Sequence, residues 1–262
     1  MKNKFVAKIY GANPKGLLLA IYLARLSINV EISDENKQEF LLSQNKVYLI
    51  NNSTIKLLEE CNLWDRLQPL SNSINSFLTH NEYSNIDPFF SISDNSKINS
   101  IPKSIGWVVK HQIISEILFQ ELAKYKNISF IEESKEKYSA KNLNLNLFKF
   151  KKEPLKNSFI QFKIILRGGI KNRAYNFFRR NSMVALLPLN ENVYHVNWIY
   201  FKDDFVDRLR FSKSFILDNL SVVIPKDLKI DQMIGDIELV STSPILNILS
   251  TTSNKEKLLS LP

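Results

Sequence analysis

Cysteine is almost missing from this chain: Cys61 is the only one in 262 residues. A single thiol forms no internal disulfide and builds no cysteine-based zinc site. It suits a reducing compartment, so a cytoplasmic location is expected. Histidine is nearly as scarce. His80, His111 and His195 lie far apart and in no ligand spacing, so each is expected to be a surface or packing residue, not a catalyst or metal ligand. The chain also lacks a G-x-S-x-G nucleophile elbow, a P-loop and any internal repeat, which argues against triad hydrolysis and P-loop nucleotide chemistry. No uninterrupted apolar run approaches a membrane-spanning length. Lys2 and Lys4 do precede the apolar stretch Gly16 to Ala24. Lys8, Gly11, Pro14 and Lys15 interrupt that region, however, and no small-residue cleavage site follows, so no signal peptide is expected.

What is present reads as globular. The apolar fraction is 44% and the length allows one large domain or two modest ones with ample core. The net charge of +9 is spread along the chain, with Lys149, Lys151 and Lys152 as the only dense basic cluster in a candidate strand region. Scattered lysines describe a solvated surface, so no nucleic-acid partner is expected, while a weak attraction to anionic membrane surfaces stays open.

The most informative stretch runs from Phe5 to Asp34. Phe5 to Tyr10 is a buried strand, Gly11-Ala12-Asn13-Pro14-Lys15-Gly16 a tight turn, Leu17 to Leu26 a helix, and Asn29 to Ser33 a second strand ending on Asp34. This is the outline of a dinucleotide-binding βαβ unit. Its glycines let backbone approach a pyrophosphate at a helix N-terminus, and an acid after the second strand takes ribose hydroxyls. Gly11 suits the exit from the strand, Gly16 suits close helix–strand packing, and Asp34 lies 18 residues past Gly16, with Glu35 as its neighbouring alternative. Asn13 stands where G-x-G-x-x-G has its middle glycine, and its side chain enters the space a pyrophosphate needs. Lys15 is placed to pair with a phosphate or simply to face solvent.

Further along, Asn52 or Ser53 is placed to cap a helix over Thr54 to Glu60 that ends at Asn62-Leu63-Trp64-Asp65. Leu70 to Pro102, rich in Ser, Asn and Asp, reads as short strands and turns of a separate sheet layer. Ile113 to Tyr125 has helical spacing, Asn127 to Glu132 reads as a strand, and Leu143 to Phe150 alternates like a strand pair. Strands are expected at Phe159 to Leu166, Val184 to Leu187 and Val193 to Phe201, and a helix over Phe205 to Leu220.

Gly11 through Gly16, with the proline after the middle position and Asp34 beyond, resembles the N-terminal FAD fingerprint of flavin-dependent aromatic hydroxylases. The closer likeness is to the ubiquinone-biosynthesis branch, the 2-polyprenyl-6-methoxyphenol hydroxylase type. Three other segments are similar to that branch in the same order: Val47 to Leu58 with Asn62-Leu63-Trp64-Asp65, then Ile105-Gly106-Trp107-Val108-Val109, then Arg173 to Phe178 through Ala185-Leu186-Leu187-Pro188-Leu189 to Trp198. The resemblance implies an α/β fold like that of para-hydroxybenzoate hydroxylase. It has a Rossmann-like FAD-binding portion (residues 1–69 and 103–150), a strand-rich substrate-binding portion (70–102 and 151–262), and here no C-terminal part. It also implies an FAD-dependent monooxygenase that takes electrons from NAD(P)H and hydroxylates a polyprenylated aromatic ring. Peripheral membrane contact and other quinone-biosynthesis proteins as partners go with that role. Carried over residue by residue, Gly11, Ala12, Asn13, Pro14, Lys15, Gly16 and Asp34 fall on the FAD motif, and Lys46 falls where the family usually has an arginine near the flavin, without its planar fork.

The departures bear on the cofactor. No Asp-Gly follows Phe148 before Phe159, and the second FAD motif, Gly-Asp-Ala-Ala-His, is absent. By alignment with Ser243-Pro244-Ile245 it would fall beyond Pro262, and Gly235-Asp236-Ile237 comes too early. Each polar contact left unmade costs on the order of 1 kcal/mol, and about 1.4 kcal/mol is tenfold in affinity. Weak FAD binding is therefore expected. A divergent or truncated hydroxylase and a non-catalytic accessory relative both fit these departures. Another flavoprotein, of geranylgeranyl-reductase or cyclase type, explains the Ala185 to Leu189 segment and Trp198 less well.

Overall fold

A computed structural model of the chain describes residues 6–34, 36–82, 88–91, 104–131, 144–145, 158–180, 182–200 and 212–240. In chain order the elements are β1 (Val6–Tyr10), α1 (Pro14–Arg25), β2 (Asn29–Ser33), α2 (Gln38–Ser43), β3 (Val47–Ile50), α3 (Asn52–Glu60) and α4 (Trp64–Leu67). After a 3-10 turn come β4 (Asn72–Ile74), β5 (Ser76–Asn81), β6 (Phe89–Ser91), β7 (Gly106–Lys110), α5 (His111–Leu122), β8 (Ile128–Phe130) and β9 (Asn144–Leu145). The remainder is β10 (Ser158–Arg167), β11 (Arg173–Arg179), β12 (Ser182–Pro188), β13 (Val193–Tyr200), α6 (Lys213–Val223) and β14 (Lys229–Val240). The chain divides into two compact units, Met1–Asn72 with Gly106–Lys149, and Ser73–Ile105 with Phe150–Pro262.

The first unit is built on a parallel sheet in the order β8-β2-β1-β9. Alternation along β1 and β2 sends Ala7, Ile9, Val30 and Ile32 inward, and leaves Lys8 and Glu31, cross-strand partners, to pair at 3.3 Å on the other face. Leu17, Ala20 and Ile21 of α1, with Ile114, Leu118 and Leu122 of α5, complete that core. β3 and β7 pair antiparallel at Val47–Lys110. Trp64 and Trp107, one from each of two segments that carry the family resemblance, meet edge to face.

The second unit is a seven-stranded sheet, β14-β10-β13-β12-β11-β5-β6, in which only β11 and β5 run parallel. One face is apolar: Ile160, Phe162 and Ile164 of β10 and Tyr194, Val196 and Trp198 of β13 pack with Ile216, Leu220 and Val223 of α6. The alternate residues are mixed: Gln161 Nε2 donates to Glu238 Oε2 at 2.6 Å, and His195 is fully buried.

Several boundaries differ from the sequence expectation. α1 starts at Pro14, three residues before Leu17, because proline lacks the N–H that the first helical position cannot use. α3 is capped by Asn51, whose Oδ1 accepts the Thr54 amide at 2.9 Å, in place of Asn52 or Ser53, which are already helical. α5 starts at His111. The late helix continues to Val223, and the Phe205 to Phe211 part of the expected helix lies outside the described residues. So do Glu35, the cluster Lys149, Lys151 and Lys152, the segment Ser243 to Ile245, and all of Leu143 to Phe150 except β9. Gly235-Asp236-Ile237 sits inside β14, next to an irregularity in its register with β10, and Gly235 has a φ of +73°.

Candidate dinucleotide site

The turn from β1 into α1 is built by two glycines with different duties. Gly11 has a φ of +104°, a conformation closed to most side chains, and its amide extends the ladder by donating to Ser33 O at 2.8 Å. Gly16 faces the turn so closely that it has no room for a side chain. Ala12, Pro14 and Gly16 are buried, while Asn13 and Lys15 are exposed.

Asn13 is the N-cap of α1. Its backbone is extended (φ −74°, ψ 166°), and its Oδ1 accepts the amides of Lys15 and Gly16, each at 3.1 Å. Its carbonyl accepts the Leu17 amide at 2.9 Å. Asp34, at the end of β2, closes the turn from the other side. One carboxylate oxygen accepts the Ala12 amide at 2.7 Å, and the other accepts the backbone and side-chain N–H groups of Asn36 at 2.8 and 3.1 Å. Asn36 was not singled out in the sequence, although Asp-x-Asn is the pattern of an Asx turn.

Gly11 through Gly16 and Asp34 are thus brought together in one connected group. Lys46 is not part of it, and among the described residues no hydrogen bond or ion pair joins it to the turn. It precedes β3, its carbonyl accepts the His111 amide at 2.8 Å, and its charge disfavours the His111 cation. His111 is buried, with Nε2 2.5 Å from the Leu41 carbonyl oxygen and Nδ1 2.8 Å from Tyr48 Oη. A carbonyl only accepts, so Nε2 carries the proton and Tyr48 donates to Nδ1. Burial holds the His111 pKa below its usual value and pushes Tyr48 up to about 12. His111 therefore ties α2, β3 and α5 together as a neutral packing residue.

The FAD fingerprint implies a diphosphate at the head of α1. A diphosphate at a helix N-terminus needs free backbone N–H donors. The amides of Gly11, Ala12, Lys15, Gly16 and Leu17 all have acceptors within the unit, Pro14 has none to give, and the Asn13 amide alone in the turn has no acceptor among the described residues. One free amide beside a filled cap is a poor fit for a diphosphate. Among the described residues no cluster of His, Cys, Asp or Glu is suited to a metal ion, and no helix is long and apolar enough to cross a membrane.

A parallel β1-α1-β2 unit followed by a large mixed sheet is the α/β fold of the FAD-dependent aromatic monooxygenases, and this chain has that fold. PqsL from Pseudomonas aeruginosa, a probable FAD-dependent monooxygenase, superposes with a TM-score of 0.63 over 90% of this chain and 72% of its own, at 9% identity. p-Nitrophenol 4-monooxygenase PnpA from Pseudomonas putida superposes with a TM-score of 0.58 over 90% and 68%, at 11% identity. Klebsiella pneumoniae HpxO, solved with FAD and uric acid, gives 0.59 over 85% and 62%, at 11% identity. No protein-family model matches the chain, and no curated protein sequence does. The likeness is one of fold.

Proposed function

We propose that the chain is an FAD-dependent monooxygenase-like protein whose substrate is an aromatic ring carrying a polyprenyl tail, as in quinone biosynthesis, with NAD(P)H as reductant and FAD held weakly. The observation that carries this reading is the fold, shared with flavin monooxygenases along most of the chain. The segments around Trp64, Trp107 and Leu187 support the polyprenyl branch. Gly11, Gly16 and Asp34 are the residues proposed to face the adenosine half of FAD, and Lys46 is proposed to lie near the flavin. A greasy substrate favours a cytoplasmic protein in peripheral contact with a membrane and with other quinone-biosynthesis proteins.

The closed turn favours a second reading, a non-catalytic relative that kept the fold and lost its cofactor. Flavin absorbance of the purified chain, an FAD titration, and NAD(P)H oxidation with a polyprenylated phenol separate the two. Saturable FAD binding with substrate-dependent NAD(P)H oxidation supports the first reading. A colourless protein that binds no FAD at millimolar concentration supports the second. Stoichiometric FAD on the purified protein would overturn weak binding while leaving the enzyme in place.

A further inference from the structure

We infer that the Asn13 side chain stands in for a diphosphate at the head of α1, so that the Lys15 and Gly16 amides are satisfied without a nucleotide and serve one only when that cap is displaced. This rests on reading the turn as an FAD-type fingerprint.

Position 13 does not need glycine for its conformation. Its extended backbone is open to any residue, unlike that of Gly11. Glycine there would supply only room, and Asn13 fills that room with an oxygen placed on the Lys15 and Gly16 amides, the donors a phosphate would use. The two glycines that shape the turn are kept, while the position that admits ligand is filled. A carboxamide satisfies the amides but carries no charge, and α1 has no acid in its first turn. The partial positive charge of the helix N-terminus therefore meets no acid within α1 itself, exposed Lys15 adds to it, and the Asp34 carboxylate offsets it only from the Ala12 amide before the cap. Removing the side chain frees two N–H donors at a helix N-terminus, where an anion is favoured.

The test is calorimetric titration of the wild-type chain, Asn13→Gly and Asn13→Asp with ADP and with FAD. Glycine is a tolerated N-cap, so Asn13→Gly keeps the fold, which circular dichroism and a melting curve verify. Asn13→Gly is expected to bind ADP at least tenfold more tightly than wild type, about 1.4 kcal/mol. Asn13→Asp, which keeps the cap and adds a negative charge, is expected to bind more weakly than wild type. In amide exchange, Lys15 and Gly16 are expected to lose protection in Asn13→Gly alone. A folded Asn13→Gly with unchanged or weaker ADP affinity overturns the inference, and so does a wild-type chain that binds ADP at micromolar concentration. If Asn13→Gly gains ADP affinity but binds FAD no better than ADP, the inference stands and the flavoprotein reading falls. If wild type takes up FAD stoichiometrically, the inference falls and the flavoprotein reading stands.

Discussion

A β-carbon on Gly16 would stand 2.1 Å from the carbonyl oxygen of Gly11. The obstacle is backbone, fixed by the sheet on one side and by α1 on the other, so no flexible side-chain end can yield. Overpacking of a tight interior costs about 1–3 kcal/mol, and contact with fixed backbone belongs at the upper end. Gly16→Ala is therefore expected to lose about 3 kcal/mol of stability in urea unfolding. Trp64 and Trp107 report on this unit by fluorescence. A loss within about 0.5 kcal/mol, the range of a neutral surface change, would show that the helix can shift and that the glycine is not required.

Asp34 is expected to stabilise the ligand-free chain. Its carboxylate takes the amides of Ala12 and Asn36, and Ala12 is buried. Asp34→Ala leaves Ala12 without its acceptor, which costs about 1–3 kcal/mol. Asp34→Asn keeps one oxygen and is expected to lose roughly half as much. Chemical denaturation in the absence of nucleotide measures both. An Asp34→Ala chain as stable as wild type would mean that water replaces the carboxylate at no cost.

Trp64 and Trp107 lie 43 positions apart in sequence, with ring centroids 5.3 Å apart at 82°. Edge-to-face aromatic pairs contribute about 0.5–1.5 kcal/mol beyond the area they bury. A double-mutant cycle with Trp64→Leu and Trp107→Leu is expected to return a coupling of about 1 kcal/mol. Trp64→Ala alone, at a site 6% exposed, is expected to cost about 3–5 kcal/mol. Additive single losses would show that the two rings merely share a core.

The opening βαβ unit was readable from pattern because each part leaves its own trace. Alternation marks Ala7 and Ile9, helical spacing marks Leu17 to Ala24, and the second strand ends at Ser33, with Asp34 next as expected. The start of α1 was less readable, since Pro14 and Lys15 are not apolar and periodicity sees only the buried stripe. Asn51 was missed as a cap for the same reason: a cap is set by where the free amides lie, and Asn51-Asn52-Ser53 offers three suitable side chains in a row. The parallel pairing of β5 with β11, which joins Ser76 to Arg173, leaves no local signal. At the site, the residue types were legible but their hydrogen bonds were not. Asn13 was expected to occupy phosphate space, yet only three dimensions reveal that it spends its oxygen on the turn's own amides.

His195 makes stability depend on acid. Its ring is fully buried in the second unit's sheet, and among the described residues neither ring nitrogen has a partner in good hydrogen-bond geometry, the Asn197 side chain lying near enough only to favour the cation. Burial pushes its pKa down to about 4, with Lys163 on β10 adding to the effect while Asn197 on β13 and Glu238 on β14 oppose it. Leu187, opposite it on β12, carries no charge. A folded-state pKa below the unfolded value of about 6.5 means that the unfolded chain binds the extra proton. The contribution of His195 is therefore neutral at pH 7 and above. It turns unfavourable as pH falls through about 6.5, and the loss is complete near pH 4. At 1.36 kcal/mol per unit the total loss is about 3 kcal/mol. His111, lowered in the same direction by burial in the other unit, adds a separate loss. Urea unfolding from pH 7.5 to pH 4.5 is expected to show wild type losing stability faster than His195→Leu. The difference between the two isolates this residue from the carboxylates that titrate in the same range. Proton NMR of the wild-type ring is expected to show no titration above pH 5. Equal slopes for the two proteins, or a ring that protonates near pH 6.5, would mean that water or a partner reaches the imidazole in solution.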